Sequence, residues 1–495
     1  MIAAPDRRTP RTRRTPRTPR TPRTPRVPRT AAITNLGCKV NQAEMEAAAR
    51  LLRERGVTLV DDRSRADLYV VNTCTVTSVA DQKSRQAVRR ARRVNPEAEL
   101  IVTGCSVQVD PSAFAAAAPG ARLVDNRAKD ALLAELAHLA VAADGGPADP
   151  GRPIRAALPT LSGVELDGAA DDRAAIDRTR AFIKVQDGCS FFCTYCIIPA
   201  ARGPERSLAP DVVLADVRRA LAAGRREIVL TGINIGTYDG GWSERGPRGS
   251  HRHAALTLAG LVRRILAETD VERIRLSSIE PQHVDDDLLA TWTKDGAGRC
   301  LPHVHLPLQS GDDGVLRRMG RRYDSTFYAD LVARLRAAIP GLAVHGDVIV
   351  GFPTEDDAAW ERSFSFIRAI GFAGLHVFRY SERPGTPAAR MAGQVPEATR
   401  RARSAALLEH AAERRAAFAA DHLGATASVL FETELPDGRW VGHAEDHVLV
   451  SARPPGGRSS LDNVIATVVI ESVDPAVPDR LVGRVIAAPG GPDGQ

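Results

Sequence analysis

The sequence predicts an α/β chain in three structured parts: an N-terminal parallel α/β domain, a central incomplete (β/α)6 barrel of the TIM type, and a small C-terminal β-barrel. Three observations predict it. Between residues 31 and 105, short apolar runs alternate with helical spacing, the pattern of a parallel sheet. Six further strand–helix units follow between residues 181 and 378, two fewer than a closed eight-stranded barrel needs. Beyond residue 424, five short apolar runs are separated by turn residues alone, which fits a small OB-like barrel.

Residues 31–36 form an apolar run that stops at Gly37-Cys38, and residues 42–55 carry Met45, Ala48, Leu51 and Leu52 at helical spacing. A second strand at 67–71 leads into Asn72-Thr73-Cys74 and a helix over 79–93. A third at 99–102 leads into Thr103-Gly104-Cys105. Each cysteine therefore follows the carboxyl end of its strand, the edge where open α/β sheets hold ligands. Residues 144–177 are rich in Gly, Pro, Asp and Ala and read as a linker. Barrel strands are expected at 181–185, 227–230, 273–276, 303–306, 347–350 and 375–378, with helices at 210–223, 256–268, 326–338 and 356–370. A charged helix at 396–422 precedes strands at 426–430, 440–442, 447–450, 464–471 and 481–486. The expected divisions are a tail at 1–30, domains at 31–143, 178–423 and 424–487, the linker between the first two, and a closing tail at 488–495.

The net charge of +7 is concentrated at one end. Residues 1–30 hold ten arginines against Asp6 alone, a net of +9, which leaves −2 on the rest. This Arg-Thr-Pro tail is too proline-rich for a helix and too poor in apolar residues for a core, so disorder is expected. Two readings stay open for it: an arm that grips RNA phosphates, or a start of no consequence upstream of Ala31. Segment 424–487 carries nine acids against five arginines, so charge alone does not argue that this barrel binds RNA. No run approaches a membrane span. Seven cysteines scattered over 495 residues argue against a secreted disulfide framework and for a reducing, cytoplasmic setting with thiolates free for metal.

Chemistry is concentrated in Cys189-Ser-Phe-Phe-Cys193-Thr-Tyr-Cys196. Three thiolates on one loop can hold three irons of a 4Fe–4S cluster and leave the fourth open to a small molecule. A structural zinc loop would pair its cysteines with a second C-x-x-C further on, and there is none. Cys38, Cys74 and Cys105, alike in topological position, form a second candidate triad. Read singly, each could be a buried core thiol. Cys300 falls outside every motif and is expected to be inert. Around the carboxyl face lie Gly232 and Asn234 after the second barrel strand, Ser277 and Glu280 after the third, and Gln309 after the fourth. Glu280 and Gln309 suit either the ribose or amino-acid end of a cofactor, or helix capping. Tyr195 suits either the cofactor adenine or core packing.

The C-x3-C-x2-C spacing resembles the radical S-adenosylmethionine enzymes, and the whole of residues 31–487 resembles their methylthiotransferase branch: a cluster domain, a radical barrel and a C-terminal RNA-binding barrel of the TRAM type. Leu36-Gly37-Cys38-Lys39-Val40-Asn41-Gln42 and Thr231-Gly232-Ile233-Asn234 look most like the members acting on N6-threonylcarbamoyladenosine of tRNA. One departure is Gly351-Phe352-Pro353-Thr354-Glu355-Asp356, where the family has Gly-Phe-Pro-Gly-Glu-Thr. The resemblance implies two 4Fe–4S clusters, on Cys189, Cys193 and Cys196 and on Cys38, Cys74 and Cys105. It implies two equivalents of S-adenosylmethionine, one as radical source and one as methyl donor. The radical would take hydrogen from C2 of the adenine, an aromatic C–H that no general base can deprotonate, and the second cluster would deliver sulfur. The implied partner is a tRNA anticodon stem-loop, met by a monomer, with electron and sulfur donors unidentified. The same chemistry on N6-isopentenyladenosine or on a ribosomal-protein aspartate is the nearest alternative. A non-catalytic iron–sulfur RNA-binding protein is the alternative of a different class.

Overall fold

A computed structural model describes residues 28–139, 179–240, 256–456 and 458–488. Most of the expected N-terminal tail, the whole of the 144–177 linker and residues 489–495 lie outside the described residues.

The N-terminal part runs β1 (Thr30–Asn35), α1 (Lys39–Glu54), β2 (Thr58–Val60), β3 (Leu68–Thr73), α2 (Ser78–Val94), β4 (Glu99–Gly104), α3 (Cys105–Val109), α4 (Pro111–Ala117), β5 (Arg122–Val124) and α5 (Lys129–Ala137). Its five strands form one parallel sheet in the order β2-β1-β3-β4-β5. Met45, Ala48 and Leu52 of α1 pack with Leu132 and Leu136 of α5 on one face; Val88 and Ala91 of α2 pack with Phe114 of α4 on the other. The chain direction across the sheet reverses between β1 and β3, the switch point where open α/β sheets bind ligands. β2 and β5 escaped the sequence reading because each is a three-residue edge strand.

β6 (Arg180–Lys184) begins the barrel, and β7 (Gln186–Asp187) pairs antiparallel with β8 (Arg206–Ser207) across the cysteine loop and α6 (Ile198–Arg202). There follow α7 (Pro210–Ala222), β9 (Glu227–Thr231), α8 (Leu258–Glu268), β10 (Arg273–Leu276), α9 (Asp286–Ala290), β11 (His303–His305), α10 (Asp313–Met319), α11 (Ser325–Ala338), β12 (Ala343–Val350), α12 (Asp357–Ile370) and β13 (Gly374–Arg379). The parallel triplets β6-β9-β10 and β11-β12-β13 are joined by the bridges Ile274–Cys300 and Ser278–His305. This is the expected open six-stranded barrel, with β6 and β13 as free edges. Asp312, Asp324 and Asp356 fix the starts of α10, α11 and α12 by accepting the N–H of Val315, Phe327 and Ala359. Ile228, Leu230, Ile274, Val304, Val344, Val348 and Val377 belong to the core shared with the helices. The period of two along a strand then turns Arg180, Glu227, Arg273, Arg275, His303, His305, His345 and Asp347 into the lumen.

α13 (Glu397–Ala420) leads to β14 (Thr426–Glu434), β15 (Trp440–Ala444), β16 (Leu449–Arg453), β17 (Ile465–Val473) and β18 (Arg480–Ala487), a closed barrel in the order β14-β15-β16-β18-β17. It docks under the N-terminal ends of the radical-barrel strands, away from the cysteine loop. Arg180 Nε donates to Glu432 Oε1 at 3.0 Å, Arg273 Nη2 to the Ser428 carbonyl at 2.8 Å, and Arg275 Nη1 to the Glu445 carbonyl at 3.1 Å. One of the acids of this barrel therefore neutralises a lumen cation. At the opposite end the N-terminal domain spans both free edges. α1 packs on β6, and Arg383, just past β13, binds Asp81 and Thr75. Among the described residues, no helix is long and apolar enough to cross a membrane.

Candidate functional site

The loop Cys189–Cys196 is shaped by backbone constraints that begin at Gln186. Its buried amide accepts from the N–H of Ile233 at 3.0 Å and of Asn234 at 2.8 Å, and donates to the Gly188 carbonyl at 2.8 Å. The loops after β6 and β9 are thereby locked together. Gly188 sits at φ +72, and a Cβ there would lie 2.0 Å from the Pro204 carbonyl oxygen, so only glycine fits. Thr194 N–H donates to the Met319 carbonyl at 2.9 Å, anchoring the loop to the end of α10. The three thiols lie near enough for Cys189 and Cys193 to act on Cys196, and all are unbridged. Cys193 and Cys189 each disfavour ionisation of Cys196, but burial is the larger cause and pushes it to about 12; burial likewise pushes Cys189 to about 11. Such thiols become thiolates when a metal replaces the proton. Arg321 Nη1 donates to Cys193 Sγ at 3.5 Å while holding Glu280 through both its Nη groups.

The second triad is assembled from three strand ends. Cys38 precedes α1, Cys74 follows β3 with its N–H on Ser84 Oγ at 3.1 Å, and Cys105 opens α3. Gly37, at φ +136, lies so close that a Cβ would be 3.3 Å from Cys74 Sγ. Burial raises both Cys38 and Cys74, the latter to about 12, and Cys105 adds to both. Asn126 Nδ2 lies 3.6 Å from Cys105 Sγ and also donates to the Ala201 carbonyl at 2.7 Å, joining this triad to α6 of the barrel.

Beneath the triad lies a buried ion cluster that the sequence reading missed. Glu44 of α1 binds Lys129 of α5, Lys184 of β6 and Arg202 of α6, and Asp187 binds Lys184 and Arg202. Arg202 also donates to Asn41 Oδ1. Its side chain is fully buried. Burial alone would raise Glu44, but the three cations hold it well below the usual carboxylate range. Two carboxylates against three cations leave positive charge beside three thiols that must turn anionic to hold metal.

A cavity of about 200 Å³ opens between the triads, lined by Val76 and Thr77 next to Cys74, by Tyr195 and Cys196, and by Gln309 and Asp347. A larger cleft of about 570 Å³ between α1, β6 and α7 contains none of the six cysteines. Of the sequence-predicted cofactor residues, Tyr195 and Gln309 face the cavity. Tyr195 packs edge-on to Phe352 at 6.5 Å, and Gln309 is held at φ +69. Asn234 and Ser277 are buried, and Asn234 Oδ1 and Nδ2 and Ser277 Oγ have no protein partner among the described residues, as a polar ligand would require. Gly232 presses on Gln186, where a Cβ would come within 2.9 Å of Oε1. Glu280 makes no side-chain cap to the turn that follows it, and its carboxylate pairs with Arg321. Cys300 is buried in the barrel core, as expected of an inert thiol.

Three lumen residues also escaped the sequence reading. Asp347 Oδ1 accepts from His305 Nε2 at 2.9 Å and His376 Nδ1 at 3.0 Å. Burial lowers the Lys39 ammonium to about 8, with Arg180 and Arg275 acting the same way and Asp347 against them. The available signal was a charge inside or flanking an apolar run: Lys184, Asp347 and Lys39 all read that way.

Two family models match the chain: the uncharacterized protein family UPF0004 over residues 30–125 and the Radical SAM superfamily over residues 183–367. The chain is 41% identical over 370 residues to the threonylcarbamoyladenosine tRNA methylthiotransferase MtaB of Bacillus subtilis (strain 168), covering 74% of this chain and 76% of that protein. It is 33% identical to the protein of the same name from Thermotoga maritima, covering 84% and 89%. It is 34% identical to the tRNA-2-methylthio-N(6)-dimethylallyladenosine synthase of Maricaulis maris (strain MCS10), covering 81% and 86%.

Proposed function

The chain belongs to the radical S-adenosylmethionine tRNA methylthiotransferases, enzymes with two 4Fe–4S clusters, and from that premise we propose that it methylthiolates C2 of N6-threonylcarbamoyladenosine beside the tRNA anticodon. We assign one cluster to Cys189, Cys193 and Cys196 and the other to Cys38, Cys74 and Cys105. The observation that supports this reading is that one cavity has in its wall both Cys196 and the residues Val76 and Thr77 that follow Cys74. When bound, the clusters supply the electron that cleaves S-adenosylmethionine and the open iron that carries sulfur.

The chain's own residues do the positioning. Arg321 orients Cys193, and Asn126 orients Cys105 while tying it to the barrel. The cations around Glu44 favour the anionic state of the N-terminal triad. Asn234, Ser277 and Gln309 offer polar groups to S-adenosylmethionine at the strand ends. The N-terminal domain spans the two edges of the open barrel, with α1 on β6 and Thr75 and Asp81 on Arg383 beyond β13. A cytoplasmic location follows from the tRNA substrate.

The substrate branch is supported by the 41% relative and by the Leu36–Gln42 loop, while the 34% relative named for dimethylallyladenosine supports the alternative. Anticodon stem-loops carrying either modified base, incubated with the reconstituted protein, S-adenosylmethionine, reductant and sulfide, separate the two. Mass spectrometry should find the methylthio product from the threonylcarbamoyl stem-loop. Conversion of the isopentenyl stem-loop alone would refute the assignment.

A further inference from the structure

We propose that the outward face of α2 receives the backbone phosphates of the tRNA anticodon stem-loop, with Arg85, Arg89 and Arg93 as the contacting cations. The proposal rests on the tRNA substrate and goes further by naming the surface that holds the RNA outside the cavity.

Charge is the first argument. α2 carries six cations, Lys83, Arg85, Arg89, Arg90, Arg92 and Arg93, against one acid, Asp81. Asp81 is taken by Arg383 beyond β13 and by Ser106. Arg90 pairs with Asp62, and Arg92 Nη1 donates to the Pro96 and Ala98 carbonyls at 3.0 and 3.1 Å. Lys83, Arg85, Arg89 and Arg93 make neither a hydrogen bond nor an ion pair among the described residues. Like charges four residues apart oppose a helix, so this row carries a cost that bound anions remove.

Geometry is the second argument. Ala87, Val88 and Ala91 pack into the core with Val102 and Phe114. The helical period then turns Arg85, Arg89 and Arg93 outward in one row, beside the exposed Gln82 and Gln86. The row leads away from the cavity. Val76 and Thr77 stand in the cavity wall and run straight into α2. Ser78 N–H donates at 3.1 Å to Oγ of Ser381, which lines the same cavity, so this end of the helix is fixed at the rim. At 1.5 Å per residue the three arginines lie about 12, 18 and 24 Å along the helix from Thr77.

The partner follows from what the cavity cannot hold. A space of about 200 Å³ is far too small for a stem-loop, so the backbone of an RNA whose base enters it runs over the surface beside it. The C-terminal barrel, with nine acids against five arginines, is a poor source of counter-charge. Guanidinium groups meet phosphate through paired N–H donors, and glutamine amides reach phosphate and sugar oxygens.

The test measures the Kd of the threonylcarbamoyladenosine stem-loop for the reconstituted holoenzyme by fluorescence anisotropy over a range of salt concentrations. The combined variant R85Q/R89Q/R93Q should raise the Kd about 10- to 100-fold at low salt and flatten the slope of log affinity against log salt by about 2 to 3, close to one counterion per lost contact. R85K/R89K/R93K should keep the slope, because charge is retained. A stem-loop with unmodified adenosine should weaken by the same factor, since phosphates carry no base identity. An unchanged slope in the glutamine variant would overturn the inference. So would a lysine variant as weak as the glutamine one, or a loss confined to one modified base. If only isopentenyl stem-loops are converted, it is the threonylcarbamoyl assignment that fails, and the salt slope still decides the role of α2.

Discussion

Replacing Cys193 with alanine is expected to reduce formation of 5′-deoxyadenosine from S-adenosylmethionine to the protein-free background, while Cys74→Ala leaves that cleavage running and stops methylthiolation. Cys193 is the middle cysteine of its loop, only 9% exposed, with Arg321 against its sulfur. Alanine leaves two of the three proposed cluster thiols and removes one acceptor from the buried Arg321 guanidinium, which keeps Glu280, the Tyr323 hydroxyl and the Pro307 carbonyl. Cys74 belongs to a different domain, on the far side of the cavity. Its loss removes one ligand of the second triad and touches no residue of the barrel loop. Quantifying 5′-deoxyadenosine and the methylthiolated nucleoside in one reaction checks both halves. Loss of 5′-deoxyadenosine in the Cys74 variant equal to that in the Cys193 variant would mean that the triads do not act separately.

The second large effect is on stability. Glu44→Gln is expected to destabilise the protein by about 3–5 kcal/mol, because it takes their shared carboxylate from the buried Lys129 and Arg202 and the partly exposed Lys184. The sign with pH follows from the depressed carboxyl. Glu44 titrates in the unfolded chain near its ordinary value and in the folded chain well below it. Its stabilisation is therefore complete above about pH 5 and is lost as pH falls through the folded value. Denaturant unfolding at neutral pH should show the full gap between wild type and variant, and the gap should shrink on acidification. A gap unchanged between neutral pH and pH 3 would place the stabilisation elsewhere than in the Glu44 charge.

Both predictions concern residues that differ in how far sequence alone could find them. The six cysteines were legible because spacing and strand ends are local properties: Cys189, Cys193 and Cys196 share one loop, and Cys38, Cys74 and Cys105 each follow a strand. The barrel strands were legible for the same reason, although β12 begins at Ala343, before the expected 347, since His345 and Gly346 interrupt its apolar run. Short elements such as α3, α6 and α10 carry too few turns to show a period. The Glu44 cluster was hidden, because Glu44 lies 85 to 158 residues from its three cations and meets Lys184 and Arg202 only when α1 packs on β6. The pairing of Glu280 was hidden for a related reason: its partner Arg321 lies 41 residues on, past the end of a helix the sequence did not reveal. Short-range chemistry was readable, and charge pairing across domains was not.

The central claim is that this chain inserts sulfur and a methyl group at C2 of threonylcarbamoyladenosine. Its most direct test is the nucleoside composition of tRNA from cells lacking the gene, measured by mass spectrometry against the parent. The account predicts that 2-methylthio-N6-threonylcarbamoyladenosine disappears and unmodified N6-threonylcarbamoyladenosine accumulates, with both reversed by the wild-type gene and neither by the Cys74→Ala gene. Loss of 2-methylthio-N6-isopentenyladenosine, with the threonylcarbamoyl nucleosides unchanged, would contradict it.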